Sequence, residues 1–148
     1  MENGARKYKI LFVEDDRELA ALYGARLGIE GYIVEHCFDG DKALEAGRAF
    51  KPDLILLDLM MPTLDGFGAL EMFRGLLETK ASKIIIMSAL SQPYDIAKAK
   101  ALGADDYIVK SQVLIDDVME IIKRHLTGDA GDDMTTPPPG TSVTPTAG

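Results

Sequence analysis

Four short apolar runs in this chain each end on a residue that can do chemistry. Ile10-Leu11-Phe12-Val13 leads into Glu14-Asp15-Asp16, and Leu54-Ile55-Leu56-Leu57 leads into Asp58. Ile84-Ile85-Ile86-Met87 ends at Ser88, and Tyr107-Ile108-Val109 ends at Lys110. Singly, each is ordinary: an acid pair after a strand often only caps the next helix, and a lone Ser or Lys there usually does nothing. Together they would set carboxylates, a hydroxyl and an ammonium around one point. Acids brought that close repel and raise one another's pKa unless a cation joins them. An all-oxygen donor set with room for water suits Mg²⁺ better than zinc.

Such convergence requires the runs to be neighbouring strands. Their length and their polar or turn boundaries suit strands buried on both faces of a parallel sheet. Two weaker strands are Tyr32-Ile33-Val34-Glu35 and, among the runs above, Tyr107-Ile108-Val109. Between the strands the apolar period becomes helical, with Leu19, Leu22, Tyr23 and Leu27 on the first face and Ala43, Leu44, Gly47 and Phe50 on the second. The third carries Ala69, Leu70, Phe73, Leu76 and Leu77, and the fifth Leu114, Val118, Ile121 and Ile122. The fourth, near 92–102, has only a thin apolar stripe. Asp16, Asp39 and Asp65 are placed to cap helix starts, and Gly31 and Gly103 to follow helix ends. Five strands alternating with five helices predict an α/β fold, a doubly wound five-stranded parallel sheet with helices on both faces. The short loops favour the flavodoxin-like order 2-1-3-4-5, which puts functional groups at the carboxyl ends of the strands. His36 and Cys37 alternate to opposite sheet faces, and they and His125 read as structural or surface residues. Asp16 reads as a cap rather than a ligand.

The stretch Lys9–Asp16, the motif Asp58-x-x-Met61-Pro62-x-Leu64-Asp65-Gly66, Ser88-Ala89 and Gly103-Ala104-Asp105-Asp106-Tyr107-x-x-Lys110 resemble the receiver domain of bacterial two-component response regulators. The resemblance covers residues 8–127. It implies phosphotransfer from a sensor histidine kinase or histidine phosphotransfer protein to Asp58. It further implies Mg²⁺ held by Glu14, Asp15, Asp58 and the backbone carbonyl of Met60. Ser88 and Lys110 would contact the phosphoryl oxygens, and Tyr107 would be the aromatic that changes rotamer on activation. An unidentified downstream protein would read the face made by the fourth helix, fifth strand and fifth helix. The side chains of Met60 and Leu90 would flank the water that removes the phosphoryl group; both are apolar, which predicts slow loss. The family usually has Pro after the lysine, where this chain has Ser111, and Thr is commoner than Ser at position 88. A cis bond before a non-proline residue costs ~3–4 kcal/mol, so the sequence leaves the geometry of the Lys110–Ser111 peptide open.

Composition bounds the rest. The chain has 148 residues, about one domain, and an apolar fraction of 47% that excludes disorder for its bulk. Its formal charge of −8, with no basic cluster, argues against direct nucleic-acid binding. A single cysteine, Cys37, excludes an internal disulfide. No apolar run approaches the roughly 18 residues of a membrane span, and the polar start lacks a signal peptide, so the expected location is cytoplasmic. Residues 1–7 are expected to be disordered. Residues 128–148, rich in Pro, Gly and Thr, are expected to form a disordered tail or linker. The leading expectation is a phosphorylation-controlled signalling module without its own output domain, catalysing only its own phosphorylation and dephosphorylation. A variant makes it one receiver of a longer regulator or hybrid kinase. An Mg²⁺-dependent aspartyl phosphatase fits less well, because its nucleophilic Asp would stand where this chain has Glu14. A flavin site fits least, since the loop after the first strand holds three acids and no glycine.

Overall fold

A computed structural model describes residues 6–128. In chain order the elements are β1 (Lys9–Val13), α1 (Arg17–Ile29), β2 (Ile33–Cys37), α2 (Ala43–Phe50), β3 (Leu54–Leu57), α3 (Gly66–Gly75), β4 (Lys83–Ser88), α4 (Pro93–Ala101), β5 (Asp106–Val109) and α5 (Ile115–Thr127). Single 3₁₀ turns, Gly40–Lys42 and Lys110–Gln112, precede α2 and α5. All five strands are parallel, in the expected order β2-β1-β3-β4-β5. The strand alternation divides the core in two. Leu11, Val13, Ile55, Leu57, Ile84 and Ile86 pack with α2, α3 and α4 residues, Phe73 and Leu70 among them. Ile10, Phe12, Leu54, Leu56, Ile85 and Met87 pack under α1 and α5, against Tyr23, Leu27, Val118 and Ile122. Burial on both faces is the reason β1, β3 and β4 read as unbroken apolar runs, whereas the edge strand β2 is only partly buried.

Three expected core residues lie outside. Leu22 is 58% exposed, because α1 turns Ala20, Tyr23 and Leu27 inward and Leu22 falls off that stripe. Leu77 is 77% exposed because α3 stops at Gly75 and Leu76 is already extended. Leu114, 72% exposed, is the extended residue before α5 rather than part of its helical phase. Asp39 caps the 3₁₀ turn through Asp41 N–H instead of α2 itself. Asp16 and Asp65 cap α1 and α3, and Gly31 and Gly103 have the positive φ expected after helix ends. Apart from residues 6, 7 and 128, the segments expected to be disordered lie outside the described residues; Arg6 itself pairs with Asp53.

At the amino end of the strands, Arg74 in the last turn of α3 joins three segments. Its guanidinium donates to the carbonyls of Gly103, Lys80 and Ser82 and pairs with Asp105 at 2.7 Å. Asp105 in turn accepts the Ile84 N–H that opens β4. Arg74→Met keeps the stem but strands these acceptors. It should lower unfolding free energy by about 2–3 kcal/mol in urea denaturation.

Candidate functional site

The ladders of β1 with β3 and of β1 with β2 each continue one step past the strands. Asp58 N–H donates to Val13 O at 3.1 Å, and Glu14 N–H to Cys37 O at 3.1 Å. This sets Asp58 beside Glu14 at the carboxyl edge of the sheet. Both are buried, at 4% and 1% exposure, while Asp15 is exposed. One oxygen from each of Glu14, Asp15 and Asp58 lies within 4.8 Å of the others. Lys110, from the residue after β5, reaches across with Nζ 2.8 Å from Glu14 Oε1 and 3.1 Å from Asp58 Oδ2. The contact with Asp58 is a hydrogen bond; that with Glu14 is a close ion pair without hydrogen-bond alignment.

Burial raises the Glu14 carboxyl above its ordinary value, and Asp58 adds to this, against the Lys110 charge and the Asp16 N–H that Glu14 Oε2 accepts at 3.0 Å. Burial draws the Lys110 ammonium down, and its contacts with Glu14 and Asp58 outweigh that and leave it raised. The second Asp58 oxygen accepts the Met60 N–H at 2.9 Å. Glu14 Oε1 is buried with the Lys110 ammonium beside it at 2.8 Å, and one ammonium facing the Glu14, Asp15 and Asp58 carboxylates leaves negative charge that a cation can join. Three hard oxygen donors, one exposed to let a hydrated ion in, fit Mg²⁺. Asp16 stands apart, its Oδ1 accepting Glu18 N–H and Leu19 N–H at 3.1 Å each.

Ser88, fully buried, ends β4 one strand beyond Asp58, and its Oγ accepts Leu90 N–H at 3.2 Å. Tyr107 on β5 is buried with its ring inward, and its hydroxyl donates to Leu90 O at 2.8 Å. Burial pushes its phenol up to about 12, with a Ser88 hydrogen bond opposing. Leu90 is half-buried against the core and Met60 is 53% exposed. No described peptide bond is cis, so Lys110–Ser111 is trans. Cys37 packs into the core, His36 tilts against Phe12 and Phe38, and His125 contacts Asp106 at 2.9 Å.

The loop between Asp58 and α3 holds a feature the sequence does not announce. Met60–Met61 and Leu64–Asp65 pair as a two-residue antiparallel ribbon. At its tip Thr63 Oγ1 accepts Gly40 N–H at 3.1 Å and donates to Asp39 Oδ1 at 3.3 Å. Asp39 reads in the sequence as a helix cap and Thr63 as an unmarked residue of the Asp58 motif, and nothing linear pairs the two.

The family model for the response regulator receiver domain matches residues 10–123. The chain belongs to that family. Response regulator ArlR of Staphylococcus saprophyticus is 43% identical over 102 residues, 69% of this chain and 45% of that protein. The probable transcriptional regulator ycf27 of Porphyridium aerugineum is 41% identical over 105 residues, 71% and 42% of the two chains. This chain therefore spans less than half the length of these relatives. Among solved structures, a CheY-like receiver domain protein from Methanospirillum hungatei superposes with a TM-score of 0.77 at 27% identity, covering 86% of this chain and 99% of that one. The BeF3-activated N-terminal receiver domain of Klebsiella pneumoniae RstA gives 0.74 at 34%, covering 80% and 98%.

Two outcomes follow for this receiver. Asp15→Asn should abolish Mg²⁺ binding where the parent saturates, whereas Asp16→Ala should leave affinity unchanged and cost ~1 kcal/mol through the lost cap; Mg²⁺ titration and thermal melting separate the two. Tyr107→Phe should be ~1 kcal/mol less stable near neutrality, for want of the Leu90 bond. Because the folded phenol titrates at about 12 and the unfolded one at 10.0, Tyr107 favours folding fully below pH 10.0 and loses that contribution as pH rises toward about 12. The gap between parent and variant should narrow over that window in denaturant titrations.

Proposed function

We propose that Asp58 accepts a phosphoryl group from a phosphohistidine on a sensor histidine kinase or histidine phosphotransfer protein. A bond forms between an Asp58 carboxylate oxygen and phosphorus as the phosphorus–nitrogen bond breaks, the electron pair leaving on the imidazole. The observation that carries this reading is the buried Asp58 placed between Lys110 and the Glu14–Asp15 pair. Glu14, Asp15, Asp58 and the Met60 carbonyl would hold Mg²⁺, which supplies positive charge to the phosphoryl oxygens. Lys110, already 3.1 Å from Asp58, neutralises charge on the transferring group, and Ser88 hydrogen-bonds a phosphoryl oxygen once it is attached.

The aspartyl phosphate then acts as a signal. Drawing the Ser88 hydroxyl toward the phosphoryl group frees Leu90 N–H, and Leu90 O holds the Tyr107 hydroxyl, so the event reaches α4, β5 and α5. A downstream protein reads that face. No described helix is long and apolar enough to cross a membrane; the site of action is the cytoplasm. One relative, ycf27, is named a probable transcriptional regulator, while the formal charge of −8 disfavours direct DNA contact by this chain. The protein catalyses only its own phosphorylation and dephosphorylation, so a small phosphate ester is not turned over.

Treatment with acetyl phosphate and Mg²⁺ should add one phosphate by mass spectrometry, absent in Asp58→Asn; an undiminished gain in that variant overturns the assignment. Self-dephosphorylation should be slow, because neither Met60 nor Leu90 can orient a water. A positioned polar group commonly contributes ~10²–10⁴-fold in acid–base catalysis, and orientation alone less. Met60→Asn with Leu90→Glu should shorten the phosphoryl lifetime in a timed decay.

A further inference from the structure

We infer that Thr63 is a positioning residue for the metal cradle: its hydroxyl ties the loop that carries Met60 to the turn that follows β2, and so sets the spacing between the two halves of the acid cluster. The inference rests on the reading of Glu14, Asp15 and Asp58 as a Mg²⁺ site. One half of that site belongs to β1, the other to β3 and its ribbon. The ribbon pairs only Met60 with Asp65 and Met61 with Leu64. Two-residue pairing has no independent stability in water, so the position of Met60, whose N–H holds Asp58 Oδ1, depends on the core packing of Met61 and Leu64 and on what fastens the tip.

Beside the packing of Met61 and Leu64 against the core, the tip is fastened by hydrogen bonds to the turn after β2. Gly40 is buried, and its N–H needs an acceptor. Thr63 Oγ1 is that acceptor, at 3.1 Å, and its own proton goes to Asp39 Oδ1 at 3.3 Å. The neighbouring Leu64 closes on Gly40 so tightly that a Cβ there would sit 2.4 Å from Leu64 Cβ. From Asp39 the connection returns to the acids. Cys37 Sγ donates to Asp39 O at 3.1 Å, and Cys37 O accepts Glu14 N–H at 3.1 Å. Glu14 meets Asp58 through Lys110. A closed circuit therefore runs from Asp58 through Met60, Thr63, Asp39, Cys37, Glu14 and Lys110 back to Asp58. Thr63 is its link between the two loops, and it touches neither the acids nor the lysine in any recorded contact. Thr63→Val removes the hydroxyl at nearly constant shape, leaves Gly40 N–H unpaired and opens the circuit.

The test is Mg²⁺ titration of the full chain, followed by amide chemical shifts, for parent, Thr63→Val, Thr63→Ser and the remote destabilised control Arg74→Met. Thr63→Val should bind Mg²⁺ about three- to tenfold more weakly, the range of one lost hydrogen bond. Thr63→Ser and Arg74→Met should match the parent. Parent-like affinity in Thr63→Val overturns the inference. So does a loss in Thr63→Ser as large as in the valine variant, or an equal loss in Arg74→Met, since the hydroxyl is then not the cause. A parent that binds no Mg²⁺ overturns instead the reading of the acid cluster itself.

Discussion

Buried like charge is the constraint on which the structure turns. Glu14 and Asp58 are held out of water side by side with Asp15 close by, and among the described residues only Lys110 is recorded in ion-pair contact with them. Removing the Lys110 ammonium would leave both buried carboxylates uncompensated, a loss that commonly costs ~3–5 kcal/mol in a buried ion pair. The sheet order answers this. β1 and β3 must be neighbours for the acids to meet, and β5 must sit close enough for a lysine to span β4 and β3. One cation facing three carboxylates leaves the cluster short of positive charge, which makes it ready for a divalent ion and then for a phosphoryl group. Stability and function are therefore opposed at this point.

The opposing side of the site is built differently. Ser88, Leu90 and Tyr107 are linked by single neutral hydrogen bonds, each easily exchanged. The helix beside them is weakly fastened: α4 fully buries Ala99 alone, whereas α5 buries Val118, Met119, Ile121 and Ile122. An element with few buried contacts can change position at small cost. A dianion on Asp58 needs to shift such an equilibrium by only a few kcal/mol to change which conformation dominates. The acid side is held by charge and the response side is held loosely.

Much of this was legible in one dimension. Apolar runs that end on Glu14, Asp58, Ser88 and Lys110 report both the parallel sheet and the edge where chemistry collects, because burial on two faces leaves no other place for a charge than a strand end. The capping roles of Asp16 and Asp65 were legible too, as caps are local. What failed was helical phase, in the middle of α1 at Leu22 and at two helix ends. Leu77 and Leu114 continue an apolar period by spacing, yet backbone breaks at Leu76 and Leu114 remove them from the helix. The bond from Thr63 to Asp39 and Gly40 was illegible for another reason: it joins turns 23 and 24 residues apart that carry no shared pattern.

The most direct measurement of the central constraint is the melting temperature of the parent and of Asp58→Asn, each without Mg²⁺ and at saturating Mg²⁺. Without the metal, Asp58→Asn should melt higher, because one repelling charge has left a buried cluster that Lys110 alone cannot neutralise. Saturating Mg²⁺ should then stabilise the parent by mass action and leave the variant nearly unmoved, closing or reversing the gap. A variant that melts lower than the parent without metal, and gains as much from Mg²⁺, would contradict the account.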